Sequence, residues 1–393
     1  MKIGVVVDRF PSLSETFVLD QVHGLLERGF EVGVICNENA VEQYKSGRPG
    51  DWQALSDNTV CWWGGAGRLR PFLRRWSGSL WDKSSTAIDI LFSDKLRNFD
   101  VIIAHFGGNG LRIARVLKRR KIAVPLVTIF HGNDVGVPLH DNTLWRYKPI
   151  FEHGGLQLTV NDLFRRVLID AGAPPDQVMV QHMGVRTDEI GYSWRSWDQG
   201  MLRFISVCRL TEKKGIEFAL RALGALSKSR PRLDWNYTII GSGELLHTLQ
   251  RLAESLEIAD RVTFLGNRPH DEVKQSLRQA HVFLLPSVTA ADGDMEGIPV
   301  ALMEAMAAGL IVVSTDHSGI PELIADQKTG FLAPERDVET LAGKLAWIAG
   351  NPLECERVSL AARRKIEADF NAQILADRLA QIVTRLAEAK AAA

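Results

Sequence analysis

The 393-residue sequence lacks an excess of charge of either sign, because 47 lysines and arginines balance 47 acidic residues. Without net charge there is no long-range field to attract nucleic acid or an anionic membrane, so any basic function must be local. The sequence also lacks a run of about 18 apolar residues, and its start, MKIGVVVDRFP, has no apolar signal segment. We therefore expect a cytoplasmic protein that does not bind nucleic acid.

Cysteine is also scarce, with four residues in the chain. They form no CxxC pair, and their spacing suits neither a metal centre nor a disulfide framework. We therefore expect reduced thiols and no cysteine-bound metal. The four residues are Cys36, Cys61, Cys208 and Cys355.

Short β-branched runs alternate with helical patterns in two series, the first beginning at KIGVVVD and the second at LRFISV. Such alternation predicts an α/β fold with parallel sheets covered by helices, and the length exceeds one ordinary core. We predict two Rossmann-like, doubly wound domains, 1–190 and 198–370, separated by a polar hinge at 187–200 and followed by a helix at 372–390. Ligands of such sheets bind at the carboxyl ends of the strands, so we look for chemistry in the loops after strands.

The segment EGIPVALMEAMAAG places two glutamates, Glu296 and Glu304, eight residues apart. Pro299 suits the first turn of a helix, so Glu296 is expected before the helix and Glu304 inside it. Isolated glutamates at this spacing are common, and a loop glutamate with a surface glutamate is the alternative interpretation. The flanking glycine and the run of small residues favour a functional site.

The start of this helix is expected to bind an anion, because its free N–H groups and the helix dipole both favour negative charge. A diphosphate fits there, and the two carboxylates can accept hydrogen bonds from sugar and ribose hydroxyls. The residues expected to bind such a donor are Gly297, Ile298, Pro299 and Glu304, beside Glu296.

A basic loop follows the first strand of the second series, with Arg209, Lys213 and Lys214 before a helix that opens near Gly215. Its cations can neutralise a leaving diphosphate and so replace a metal ion. Taken alone, a basic loop of this kind is as often a solvated surface as a phosphate-binding site. The turn GSGEL adds Gly241, Gly243 and Glu244, where glycine lets the backbone approach a ligand closely; a lone GxG is weak support.

In the first domain, IFHGND places His131 and Asp134 after a predicted strand. His131 can hydrogen-bond a sugar hydroxyl near the anomeric carbon, and Asp134 can orient an acceptor hydroxyl or the imidazole. A loop histidine with only structural contacts is the alternative. Ser14 and Glu15, at a predicted helix start, are expected to contact the acceptor, although helix capping alone could explain them.

These motifs resemble the retaining glycosyltransferases of the GT-B fold, in the large family of glycosyl group 1 transferases, over nearly the whole sequence. Glu296 and Glu304 match the E-x7-E motif of this family, and Arg209 and Lys214 match its R…KG motif. The GSGEL turn and Gly184-Val185 also match the family pattern. RFPSLSETF and PSVTAADGDMEGIPVALMEAM further resemble the colanic-acid and amylovoran type of exopolysaccharide enzyme. The chain departs from the family pattern at Ser14-Glu15, where Gly-Gly is frequent, and at Cys208, where glycine is frequent.

The resemblance implies two domains facing a central cleft, with the last helix crossing back onto the first domain, which binds the acceptor. It implies that Glu296 contacts the donor hexose, Glu304 the ribose, Arg209 and Lys214 the diphosphate, and His131 the reacting centre. The implied reaction transfers a hexose from a UDP- or GDP-sugar to a glycan, expected to be a lipid-linked oligosaccharide. A nucleotide-sugar epimerase of the same fold and a non-catalytic nucleotide-sugar-binding protein are the alternatives.

Asp292-Gly293-Asp294 has the DxD form with which other glycosyltransferase folds hold a divalent metal. We expect no metal and no cofactor here, because cations and a helix start already serve the diphosphate. We interpret the triplet as ordinary acidic residues of a surface loop.

The segment 61–76, CWWGGAGRLRPFLRRW, combines tryptophan with arginine and contains no acid, as interfacial membrane anchors do. It predicts peripheral contact with an anionic membrane, which KRRK at 118–121 could reinforce. A solvated basic helix with its tryptophans in the core is the equal alternative. The residues concerned are Trp62, Trp63, Trp76, Arg68, Arg70, Arg74 and Arg75.

Overall fold

A computed structural model describes residues 1–12, 16–40, 59–61, 93–197 and 200–392 of the chain. Contacts divide the chain into two compact units. The first comprises Met1–Gln181 with Ala372–Ala393, and the second comprises His182–Asn371. Each unit contains one parallel sheet covered by helices, which confirms the predicted α/β class.

The first unit is built on a seven-stranded sheet of order β3-β2-β1-β4-β5-β6-β7. Its described strands are β1 (Lys2–Phe10), β2 (Glu31–Asn39), β3 (Thr59–Cys61), β4 (Val101–His105), β5 (Leu126–Phe130), β6 (Leu156–Thr159) and β7 (Val178–Val180). Its described helices are α1 (Thr16–Glu27), α2 (Gly107–Arg120), α3 (Asn133–His140), α4 (Lys148–His153), α5 (Asp162–Asp170) and α13 (Ala372–Ala392). Every residue of β4 and β5 is buried, as expected for central strands with helices on both faces.

The second unit is built on a six-stranded sheet of order β10-β9-β8-β11-β12-β13. Its strands are β8 (Leu202–Val207), β9 (Trp235–Ile240), β10 (Val262–Gly266), β11 (Val282–Leu285), β12 (Ile311–Thr315) and β13 (Phe331–Ala333). Its helices are α6 (Ile216–Ser229), α7 (Leu246–Ser255), α8 (His270–Gln279), α9 (Val300–Ala308), α10 (Ile320–Leu323), α11 (Val338–Gly350) and α12 (Pro352–Asp369). Phe204 and Ile205, neighbours on β8, enter two different hydrophobic clusters, because successive strand residues face opposite sides of a sheet.

The final helix, α13, packs against α1 of the first unit. The Arg28 Nε lies 2.8 Å from Asp377 Oδ1, and a guanidinium nitrogen donates to the Gln373 carbonyl at 2.7 Å. A Cβ on Gly24 would lie 2.9 Å from the Ala376 Cβ, so glycine lets the two helices approach closely. The chain therefore returns to its first unit after completing the second.

The stretch 187–200 was predicted as a hinge, and its residues up to 197 lie within the second unit. Arg363 on α12 holds them there, donating to the carbonyls of Ile190 at 2.6 Å and Thr187 at 3.0 Å. The division between the units consequently falls after Gln181, earlier than position 190. The acceptor-binding and donor-binding roles of the two parts stay predictions.

Candidate functional site

Three loops of the second unit meet because the strands that precede them, β8, β11 and β12, are neighbours in a parallel sheet. The loop after β8 forms a 3-10 turn at Glu212–Lys214 and enters α6 through Gly215, whose φ is 63°. A Cβ on Gly215 would lie 1.8 Å from the Pro286 carbonyl oxygen. Only glycine therefore allows this loop to lie directly against the loop after β11.

Two neighbouring lysines of the first loop form partly buried ion pairs with carboxylates of the second. Lys213 Nζ lies 2.9 Å from Asp294 Oδ2, and Lys214 Nζ lies 2.6 Å from Glu296 Oε1. The side chains of the second pair are only 15% and 8% exposed, so water screens it weakly. The two pairs together bring two cations and two carboxylates to the end of β8.

Burial alone would raise the pKa of Glu296, but Lys214 and Lys213 more than offset that effect, and its pKa lies below the ordinary value. The carboxylate is therefore charged at neutral pH. It offers hydrogen-bond acceptors and no proton. This suits a group that binds sugar hydroxyls, as the sequence predicted.

The backbone of Glu296 is held by the loop after β12. Its N–H donates to His317 Nε2 at 3.1 Å, and its carbonyl accepts from Ser318 Oγ at 2.6 Å. His317 is 1% exposed. Sequence reasoning missed both residues, although the signal was present: they follow a predicted strand, at the edge where ligands of such sheets bind.

Helix α9 begins at Val300, and Pro299 is its cap, with φ −64° and ψ 120°. Pro299 therefore lies just outside the helix and not in its first turn. Glu296 precedes the helix and Glu304 lies within it, as the spacing predicted. Glu304 lines a pocket beside α8, which contributes His270, Lys274 and Arg278.

Arg209 is exposed and, among the residues that the structure describes, forms no ion pair. It lies two residues after the end of β8 and five residues before the paired Lys214. Its guanidinium is therefore available to an incoming anion. This distinguishes it from Lys213 and Lys214, whose ammonium groups already have carboxylate partners.

The glycines of the GSGEL turn face the chain's own backbone. A Cβ on Gly241 would lie 1.8 Å from the Cys208 carbonyl oxygen, and one on Gly243 would lie 2.3 Å from that of Leu210. Gly241 also has a φ of 131°. These glycines therefore allow a close approach to the loop after β8, and their predicted contact with a ligand stays a prediction. Glu244 is exposed beside them.

In the first unit, His131 follows β5 and is joined by His105, the last residue of the adjacent strand β4. His105 Nδ1 lies 3.1 Å from His131 Nε2, and both rings are buried. Phe17 and Phe106 enclose His131, with ring centroids 4.7 and 4.5 Å away. Sequence reasoning missed His105 because it ends an ordinary apolar strand.

Burial lowers the pKa of His131 to about 3. The pKa of His105 is lowered well below its usual value, first by burial and second by the effect of His131. Both imidazoles are therefore neutral near pH 7. A neutral ring can form hydrogen bonds with a sugar hydroxyl, and the role that the sequence suggested for His131 stays a prediction.

The carboxylate of Asp134 contacts backbone N–H groups and not the imidazole ring of His131, which was one of its two predicted partners. Its carboxylate accepts hydrogen bonds from the N–H groups of Gly107 at 2.8 Å and of His131 and Gly132, each at 2.9 Å. Burial raises its pKa, although these hydrogen bonds act in the opposite direction. Asp134 thus fixes the loop that carries His131. Ser14, Glu15 and residues 62–76 of the predicted membrane segment lie outside the described residues.

The DxD triplet is engaged within the protein. Asp292 Oδ1 accepts from the backbone N–H of Asp294 at 2.9 Å, and Asp294 pairs with Lys213. Across the described ranges, no group of three or more His, Cys, Asp and Glu side chains is placed to hold a metal ion. Within those same ranges, no helix has the length and apolar character needed to cross a membrane.

Two family matches together span nearly the whole chain: residues 14–189 match Glycosyltransferase Family 4, and 196–365 match Glycosyl transferases group 1. WcaL of Escherichia coli K12, named as a colanic acid biosynthesis glycosyltransferase, is 36% identical over 98% of this chain and 100% of its own length. The amylovoran biosynthesis glycosyltransferase AmsK of Erwinia amylovora is 34% identical with the same coverage. A GDP-mannose-dependent mannosyltransferase of Mycolicibacterium smegmatis is 28% identical over 75% of this chain and 79% of its own length.

Solved structures share the fold at low sequence identity. HepE of Anabaena, solved in complex with UDP, superposes with a TM-score of 0.74 at 16% identity, covering 98% of this chain and 100% of its own. A glycosyltransferase of Rickettsia africae gives a TM-score of 0.75 at 15% identity, covering 98% of both chains. The predicted GT-B fold is confirmed.

Proposed function

The chain belongs to the family of group 1 glycosyltransferases, and we propose that it transfers a hexose from a UDP- or GDP-sugar to a glycan with retention of anomeric configuration. The observation that carries this proposal is the Lys214–Glu296 pair, with the exposed Arg209 five residues before Lys214 in the same loop. Together these residues offer cations for a diphosphate and a carboxylate for sugar hydroxyls.

The leaving diphosphate would be stabilised by Arg209 and Lys214, at the end of β8. Preorganised charges of this kind act strongly where water is excluded, and they need no reorganisation during the reaction. The engagement of Asp294 by Lys213 supports a reaction without a metal ion, because one carboxylate of the DxD triplet already has a cation as partner.

Glu296 is proposed to orient the donor hexose and not to attack it. Its carboxylate is buried against Lys214, which lowers its nucleophilicity by stabilising its charge. Retention without a carboxylate nucleophile requires departure and attack on the same face of the sugar. The departing diphosphate then accepts the proton of the acceptor hydroxyl as the new glycosidic bond forms.

We place the reaction in exopolysaccharide biosynthesis, by similarity to WcaL and AmsK, with a lipid-linked oligosaccharide at the cytoplasmic face of the membrane as acceptor. His131, neutral and enclosed by aromatic rings, is proposed to hydrogen-bond a sugar hydroxyl. The arginines and tryptophans of 61–76 are proposed to contact anionic lipid. Neutralising the four arginines should abolish binding to anionic liposomes, and unchanged binding would exclude this anchor.

The donor can be identified by thermal stabilisation of the full chain with a panel of UDP-, GDP- and ADP-sugars. A ligand at 100 times its Kd stabilises by about 2.7 kcal/mol, which is readily measured. The relatives favour two bases, since one is GDP-mannose-dependent and a structural neighbour was solved with UDP. Stabilisation by none of these sugars would contradict the proposal.

The reaction is then tested with the stabilising donor and a glycan acceptor. We expect a product whose anomeric configuration matches the donor, by NMR, and loss of transfer in Glu296→Ala. Arg221→Ala, which removes an exposed ion pair with Glu217, is the matched control and should retain activity. An inverted product, an epimerised donor, or normal transfer by folded Glu296→Ala would overturn the assignment.

A further inference from the structure

A chain of hydrogen bonds leads from Glu335 through His317 to the backbone of Glu296. His317 Nδ1 lies 2.6 Å from Glu335 Oε1, and His317 Nε2 lies 3.1 Å from the Glu296 nitrogen. The His317 side chain is fully buried. The three residues belong to three loops, which follow β13, β12 and β11 respectively.

The partners of His317 determine its tautomer. A backbone N–H can only donate, so Nε2 must accept from Glu296 and cannot carry a proton. The proton is therefore on Nδ1, where it is donated to the Glu335 carboxylate. A carboxylate that accepts the proton of one ring nitrogen fixes both the tautomer and the orientation of a histidine, as in many metal and catalytic sites.

Glu335 is itself held in place. One carboxylate oxygen accepts from the backbone N–H of Thr289 at 2.9 Å and from Arg336 Nη1 at 2.9 Å. Burial raises its pKa, but the hydrogen bonds from His317 and Thr289 outweigh this, and the pKa lies below its ordinary value. Glu335 is therefore a charged acceptor near neutral pH.

The helix that follows the Glu296 loop has no side-chain cap of its own. Pro299 occupies the cap position and offers no side-chain hydrogen bond to the helix start. His317 at the N–H and Ser318 at the carbonyl hold the backbone of Glu296 itself. With the backbone fixed on both sides, only side-chain torsions remain to bring the carboxylate to Lys214.

We propose that His317 and Glu335 are positioning residues that place the Glu296 carboxylate for the donor sugar, an inference that rests on the proposed function. Removing the ring leaves the Glu296 N–H without its acceptor and releases the loop. The expected result is a loss of donor use with unchanged acceptor binding, because the support reaches only the loop before α9.

The test compares His317→Leu with His317→Gln in the full chain. The Gln amide has a donor and an acceptor separated much as the two ring nitrogens are, so it can retain part of the relay. We expect His317→Leu to reduce kcat/KM for the donor at least tenfold with an unchanged KM for the acceptor, and His317→Gln to recover part of that loss. Equal, wild-type activity in both variants would overturn the proposal.

A double-mutant cycle separates positioning from a general effect on folding. In a Glu296→Ala background, His317→Leu should cause little further loss of transfer, because the carboxylate that His317 is proposed to position is already absent. Additive losses would mean that His317 does not act through Glu296. If Glu296→Ala itself retains full activity, the proposed function fails; if only His317→Leu retains it, the positioning inference alone fails.

The tautomer is measured without substrate. Nitrogen-15 NMR of histidine-labelled wild-type protein should show His317 protonated at Nδ1 and unprotonated at Nε2 at pH 7, with the resonance assigned by its loss in His317→Gln. A ring protonated at Nε2 would contradict the relay, whatever the activity of the variants.

Discussion

The two units surround their candidate groups in opposite ways. In the first unit, His105 and His131 lie against aromatic rings with no ion-pair partner among the described residues, and burial keeps them neutral. In the second unit, Glu296 is equally buried, but lysines surround it and keep it charged. Burial therefore produces a neutral hydrogen-bonding site in one unit and an ionic site in the other. Among the described residues, the second site is the one of the two that supplies cations, which is why we propose it as the place where a diphosphate binds.

The largest effect should come from breaking the ionic site with Lys214→Ala. This variant leaves the Glu296 carboxylate buried without its nearest cation, which typically costs about 3–5 kcal/mol of unfolding free energy. It also removes a charge from the diphosphate, and loss of one such stabilising group typically reduces the rate by about 10²–10³. Urea unfolding and a transfer assay measure the two effects.

A double variant separates stability from activity at the same site. Lys214→Met with Glu296→Leu removes both charges, and replacing a buried pair by apolar residues is often neutral for stability. We expect stability to recover while transfer stays lost. Recovery of transfer would show that the pair serves the fold and not the reaction.

Acid should destabilise the first unit before it affects the ionic site of the second. The pKa of histidine in an unfolded chain is about 6.5. The pKa of His131 is about 3, and that of His105 is also lowered. The unfolded chain therefore takes up protons first as pH falls, at a cost of about 2 kcal/mol for His131 by pH 5, and His105 acts in the same direction. The stability that comes from the lowered pKa of Glu296 is present above about pH 4.3 and is lost only below it.

Hydrogen exchange, corrected for intrinsic rates, can follow the two sheets separately between pH 7 and pH 5. Burial also lowers the pKa of His281 in the second unit, to about 4, so that unit is expected to lose some stability too. We expect earlier loss of protection in β4 and β5 than in β8 and β11. Earlier loss in the second sheet would contradict the account.

A smaller effect is expected from His131→Phe, which replaces a neutral ring in an aromatic surrounding. One neutral hydrogen bond contributes about 0.5–1.5 kcal/mol, so transfer should fall by about tenfold or less. The thermal midpoint should fall by a few degrees, because His105 Nδ1 loses its partner at 3.1 Å. A loss as large as that of Lys214→Ala would mean that His131 has a charged or proton-transferring role.

The smallest effect is expected from chelation of metal ions. Lys213 already pairs with Asp294, so EDTA should leave the transfer rate within about twofold of its initial value, far less than the loss of one stabilising charge. Activity that disappears with EDTA and returns with Mg²⁺ or Mn²⁺ would contradict the comparison, because the ionic site would then depend on a metal.

Local sequence patterns predicted the fold and part of the site. The alternation of strands and helices indicated two parallel sheets, and the spacing of Glu296 and Glu304 placed one carboxylate before the helix and one inside it. Partners distant in sequence were not predictable in this way. Lys213 and Asp294 are 81 residues apart, and only the order of strands in the sheet brings them together.

One residue was missed because its pattern has an ordinary explanation, and the glycine pattern left open what approaches it. His105 ends an apolar strand, and nothing in its neighbourhood indicates that β5 will bring His131 beside it. Gly241 and Gly243 suggested an approach to a ligand, whereas their close contacts are with the chain's own backbone. A glycine pattern shows that something approaches closely and does not show what.

The most direct measurement is a crystal structure of the full chain with an intact, non-transferable nucleotide-sugar analogue. Our account predicts diphosphate oxygens within hydrogen-bonding distance of Lys214 Nζ and the Arg209 guanidinium, with a hexose hydroxyl on the Glu296 carboxylate. A nucleotide sugar bound at another surface, with Lys214 and Glu296 contacting only each other, would contradict it.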